Sequence, residues 1–165
     1  MLNLKETRNR ITSVKSTMQI TSAMKMVSAA KLKRATDAIT KMRPYAEKLQ
    51  EILVNLTAGA ENSDENVYAA VRPEEKILIV AVTSNRGLCG GFNAYINKSC
   101  LNLANDVYAS KEVSFLCIGK KGGEFLANKG LNVVGKEIEL FNDLNFDTVA
   151  PIAEKVMAEF AEGDY

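Results

Sequence analysis

The stretch SNRGLCGGFN, Ser84 to Asn93, gathers the groups best placed for chemistry: the guanidinium of Arg86, the thiol of Cys89 and the glycines Gly87, Gly90 and Gly91. It follows the apolar run ILIVAV (Ile77 to Val82) and precedes AYINKSCLNLANDVYA, which reads as a helix. A strand, a glycine-rich turn and a helix are the usual scaffold for holding phosphate. The spacing argues otherwise. A dinucleotide loop needs G-x-G-x-x-G and a triphosphate loop G-x-x-x-x-G-K-[ST], and Gly87, Gly90 and Gly91 fit neither. The next strand ends on Ile118 and Gly119, where a ribose-binding acid would be needed, and GKKGGEF (Gly119 to Phe125) lacks a Lys-Ser/Thr pair. Gly87 and Gly90–Gly91 are therefore expected to supply tight turns and a close helix–strand approach. Arg86, beside a helix N-terminus, could still attract an anion.

Composition limits the remaining chemistry. The chain has 165 residues, 47% of them hydrophobic, a net charge of +1 and no histidine. A Ser–His–Asp triad, a histidine base and His-ligated metals are thereby excluded. Three cysteines, Cys89, Cys100 and Cys117, form no CxxC pair, which speaks against a disulfide framework or zinc knuckle. Cys100 and Cys117 are expected in the core and Cys89 at the surface. No apolar run reaches the roughly 18 residues of a membrane span, and MLNLKETRNRITSVK has no signal-peptide core. These features suit a reduced, intracellular protein. No catalytic residue, metal site or cofactor is expected.

The elements that position the loop fall into two parts of different period. From Asn3 to about Ala58 there is no glycine and one proline, Pro44. Ile11, Val14, Met18, Leu32, Ala35, Ile39, Met42, Ala46, Leu49, Leu53 and Leu56 alternate steps of three and four, a coiled-coil seam. Between them the seam shifts back one place to Ile20, Met24 and Val27. The spacing predicts one helix of about 80 Å, bent if anywhere at Pro44. Charge divides at the same place, with ten Lys/Arg against two Asp/Glu through Arg43, and eleven against eighteen from Pro44 on.

After a polar, acidic linker the pattern becomes strand Ile77–Val82, helix Gly91–Ala109, strand Val113–Ile118, short helix Gly122–Asn128 and a strand in LNVVG. A last helix, Asp147–Ala161, is expected to start on Asp147 as its N-cap, hold Pro151 in its first turn and stop at Gly163. The fold class is α/β: a long N-terminal helix over 1–58, half of an antiparallel coiled coil, a linker over 59–76, and an incomplete Rossmann-like parallel-sheet domain over 77–165. One small α/β domain cannot cover so long an apolar stripe, and the sheet is thin. The chain is expected to be a fragment or to be completed by partners.

ITSAMKMVSAAKLKRA (Ile20 to Ala35), RPYAE (Arg43 to Glu47) and TSNRGLCGGFN (Thr83 to Asn93) together resemble the gamma subunit of rotary ATP synthases, with order and spacing matching across the chain. The resemblance is to that family's N-terminal portion and implies a non-catalytic rotor stalk. It further implies, as partners, the alpha and beta subunits of the catalytic head, the epsilon subunit, the c-subunit membrane ring and a C-terminal helix of the same chain. The place implied is peripheral, on the cytoplasmic face of the membrane, with no nucleic acid involved.

Candidate partner-binding residues are Met18, Ile20, Met24, Lys25, Val27, Lys31 and Arg34 on the helix, with Arg86 and Cys89 in the turn. Methionine and alanine wrap the helix more widely than a two-helix seam needs and give an adaptable surface. By resemblance, Met24 and Lys25 face the acidic lever loop of the beta subunits, with Cys89 nearby. Two other readings stay open: a small nucleotide- or anion-binding α/β enzyme, and a coiled-coil nucleic-acid binder.

Overall fold

The computed structural model describes residues 3–59, 67–69 and 73–165; much of the linker expected over 59–76 lies outside the described residues. The chain divides into two compact units, Met1–Asn62 and Ser63–Tyr165.

In the first unit, helix α1 runs without interruption over Leu4–Gly59, 56 residues, and contains Pro44. Pro44 removes one donor, so the Thr40 carbonyl loses its helical partner, but one missing bond does not stop a helix so long. A sequence free of glycine until its last residue, with three-four spacing on either side of the shift at Ile20–Val27, carries it through. Every described side chain of α1 is exposed.

The second unit is a parallel sheet in the order β1-β2-β3, formed by Lys76–Val82, Glu112–Ile118 and Asn132–Glu137. Alternate side chains of these strands point to opposite faces. On one face Ala81, Phe115 and Cys117 meet Cys100 of α2 (Phe92–Asn102) and Leu126 of α3 (Lys120–Asn128), and these five residues form the buried core. Helix α4 (Phe146–Glu162) has no fully buried residue. Tyr68, in the short turn Val67–Ala69, stacks on Phe160 of α4 with ring centroids 6.5 Å apart.

The elements depart from expectation at their ends. The helix expected over Gly91–Ala109 becomes a π-turn at Leu103–Val107, where the Tyr108 N–H reaches back five residues to the Leu103 carbonyl. Helix α3 begins at Lys120, two residues before Gly122, because its first donors find partners in the loop described below. Strand β3 continues to Glu137, and its register shifts opposite Phe115 and Leu116, which leaves Val134 unpaired. The N-cap of α4 is Asn145, not Asp147. The Asn145 side chain accepts from the Thr148 N–H at 3.0 Å and the Thr148 hydroxyl accepts from the Asn145 N–H at 3.2 Å, a reciprocal box that satisfies two donors. Counted from Phe146, Pro151 is the sixth helical residue and so lies in the second turn, not the first. The helix stops at Gly163, whose φ of +86° only glycine adopts freely.

Candidate functional site

The glycine-rich loop stands at the C-terminal ends of the strands, where doubly wound sheets bind ligands. Thr83, the first residue after β1, is buried, and its N–H donates to the Ile118 carbonyl at 2.8 Å. Its Oγ1 accepts from the Gly122 N–H at 2.8 Å. The Ser84 carbonyl accepts from the Lys121 N–H at 3.1 Å, and Asn85 Oδ1 accepts from the Lys120 N–H at 2.9 Å. The three leading donors of α3 are thus taken by three consecutive loop residues. A phosphate arriving there would find no free N–H, which removes the physical basis of a nucleotide cradle at α3.

The same loop is braced on its other side. Asn85 Nδ2 donates to the Ile138 carbonyl at 2.7 Å. The Ser84 N–H donates to Asn93 Oδ1 at 3.0 Å, while Asn93 Nδ2 donates to Ser84 Oγ at 2.8 Å and to Cys89 Sγ at 3.2 Å. These ties present the loop tip outward. Leu88 is wholly exposed, with φ at +64°, and Gly90, two residues on, has φ at +60°.

The glycines divide their roles differently from expectation. Gly90 supplies a left-handed turn, but Gly87 has open space around it and no positive φ. A Cβ on Gly91 would first meet the Tyr95 ring, at 2.6 Å. The close approach belongs instead to Gly119, where a Cβ would lie 2.1 Å from the Thr83 carbonyl oxygen, and to Gly122, where it would lie 2.8 Å from the Thr83 side chain. Thr83, Asn85, Gly119 and Gly122 were not singled out by spacing, and the only signal for the last two was the GKKGG run itself.

Of the candidate residues, Arg86 and Cys89 lie on the loop and are exposed, and Arg86 forms no ion pair among the described residues. Cys100 and Cys117 are buried, and desolvation pushes both thiols above their ordinary value; Cys100 adds to the rise at Cys117 and Lys136 opposes it.

Met18, Ile20, Met24, Lys25, Val27, Lys31 and Arg34 lie on α1, and all are exposed. One further property of this helix belongs to its threonines. The hydroxyls of Thr7, Thr12, Thr17, Thr21, Thr36 and Thr40 each donate to the carbonyl four residues back, at 2.8 to 3.3 Å. Hydroxyls spent on their own helix leave methyl groups as the outer surface.

The sequence matches the family model described as ATP synthase over residues 3–165. It is 55% identical over 165 residues to the ATP synthase gamma chain of Flavobacterium psychrophilum, covering 100% of this chain and 57% of that one. It is 40% identical over 168 residues to the gamma chain of Chlorobaculum tepidum, covering 99% and 58%. Among solved structures it resembles the central stalk and c-ring of the Tetrahymena thermophila mitochondrial ATP synthase, with a TM-score of 0.61 and 30% identity over 85% of this chain and 59% of that one. The chain therefore spans less than two thirds of the length of these relatives.

Proposed function

The chain belongs to the ATP synthase family, and from that premise we propose that it is part of a gamma chain acting as the central rotor stalk. In this reading α1 is one strand of the shaft and turns inside a ring of alpha and beta subunits. The α/β unit takes rotation from the c-subunit ring, with the epsilon subunit beside it. The stalk is peripheral, on the cytoplasmic face of the membrane, and catalysis belongs to the surrounding subunits. Residues 1–58 serve as shaft, 59–76 as connection and 77–165 as the coupling domain.

The observation that carries this reading is the surface of α1 from Met18 to Arg34. It is exposed and rich in methionine and alanine, and the hydroxyl of Thr21, its one threonine, is satisfied within the helix. A shaft that passes successive neighbours needs a surface without directional bonds, because each such bond would have to break at every step. Met18, Ile20, Met24 and Val27 supply the sliding surface, while Lys25, Lys31, Arg34 and Arg86 supply long-range attraction to acidic neighbours. Cys89 marks a second contact on the loop.

The test uses a full-length gamma chain carrying this sequence, assembled in the complete complex. Met24→Leu is a near-isosteric exchange costing under about 1.5 kcal/mol and is expected to leave coupling unchanged. Met24→Lys adds a cation that pairs with an acidic loop at each stop, and a pair that must separate before the next step adds to the barrier, the more so the less solvent reaches it. Protons pumped per ATP hydrolysed should fall in Met24→Lys and hold in Met24→Leu. Equal ratios in the two variants would assign Met24 to ordinary helix-pair core.

A further inference from the structure

The face of the sheet opposite the buried core is not closely packed. A cavity of about 210 Å3 remains between Leu78, Leu116 and Val134 of the strands and Ile152 and Val156 of α4. It is partly open to solvent, and its walls are mostly apolar, with Glu137, Lys155 and Glu159 also lining it. Lys155 pairs with Glu159 at 3.7 Å, which leaves Glu137 as the carboxylate without an ion pair among the described residues. An apolar cavity of roughly 150 Å3 stays dry and takes up benzene. This one is larger by about the volume of a short side arm, and its free charge is negative.

We propose that the space between α4 and the sheet is a binding site for a small hydrophobic amine: one ring in the apolar chamber, with an ammonium on a short arm reaching Glu137. The site rests on no part of the stalk reading. Its occupant would fill the void and hold α4, a helix without a fully buried side chain, against the sheet.

The experiment titrates the 165-residue chain with 2-phenylethylamine and with 2-phenylethanol, which share a shape and differ in charge, and follows methyl NMR shifts. The amine should shift the methyl groups of Leu78, Ile152 and Val156 and bind about three- to fivefold tighter than the alcohol, the upper end of what a partly exposed ion pair contributes. Glu137→Gln should bring the two affinities together, and Val156→Phe should abolish both by filling the chamber. Should Val156→Phe fail to fold, Glu137→Gln alone decides. No binding, shifts centred elsewhere, or amine and alcohol bound equally by the unsubstituted chain would each overturn the proposal.

Discussion

Leu88 and Gly119 mark the two extremes of what one backbone position can demand. Leu88 takes a left-handed φ although it carries a side chain, a conformation that costs roughly 1–2 kcal/mol and is held by the Asn93 and Asn85 ties around it. Gly119, with φ at +105° and the Thr83 carbonyl where a Cβ would be, has no tolerable substitute. Gly119→Ala is expected to cost about 3 kcal/mol or more from backbone strain and overlap together. Gly87→Ala, with open space and an ordinary φ, should stay within about 0.5 kcal/mol of the parent in denaturant melts. The thiols give a second contrast. Cys89, exposed, should react with a thiol reagent before Cys100 and Cys117 do, and a slow Cys89 would refute its placement. Burial raises the pKa of Cys100 and Cys117 in the folded state. As pH rises past the ordinary thiol range, the unfolded chain loses these protons first, so stability is full below that range and falls above it. Denaturant melts between about pH 8 and 9.5 should show this decline, and Cys100→Ala with Cys117→Ala should flatten it.

At the scale of elements, type and order were legible, while ends depended on side chains whose partners are distant in sequence. Helix α1 was legible because the three-four spacing runs through a stretch without glycine, and Pro44 interrupts only one bond. The near-continuous apolar runs ILIVAV and VSFLCI, separated by helical sequence, announced buried parallel strands. The start of α4 was misplaced because Asn145, Asp147 and Thr148 are all capping types, and only the reciprocal pair of bonds selects Asn145. Asn145→Ala should therefore cost about 1 kcal/mol and Asp147→Ala less, since Asp147 contributes only its charge near the helix start. Equal losses in thermal melts would return the cap to Asp147. The loop was legible as a place and not as a mechanism. Glycine spacing ruled out the phosphate motifs, but the closing of α3 by Thr83 and Asn85 joins residues 35 to 39 positions apart. Periodicity does not report such meetings.

Over the whole chain, charge and apolar surface are distributed so that α1 has strong reasons to find a covering. It carries the positive excess of the sequence, and Ile11, Val14, Met18, Leu32, Ile39, Leu53 and Leu56 are each more than half exposed along it. Apolar stripes of this extent are rarely left open on a monomer, and a heptad seam specifies what covers it: another helix with the same spacing. Basic side chains beside the seam repel a second copy, so pairing between copies should be weak at low salt and strengthen as screening shortens the Debye length from about 30 Å at 0.01 M to about 8 Å at 0.15 M. The 165-residue chain is therefore expected to be monomeric and partly frayed in α1 when dilute at low salt, and to gain both mass and helicity together as concentration or salt rises. Light scattering and circular dichroism on one dilution series at two salt concentrations test this. The coupling between the two readouts decides it, because a helix that stabilises itself would stay fully helical as the mass falls. A rigid, fully helical monomer at every concentration would mean that the exposed seam needs no partner.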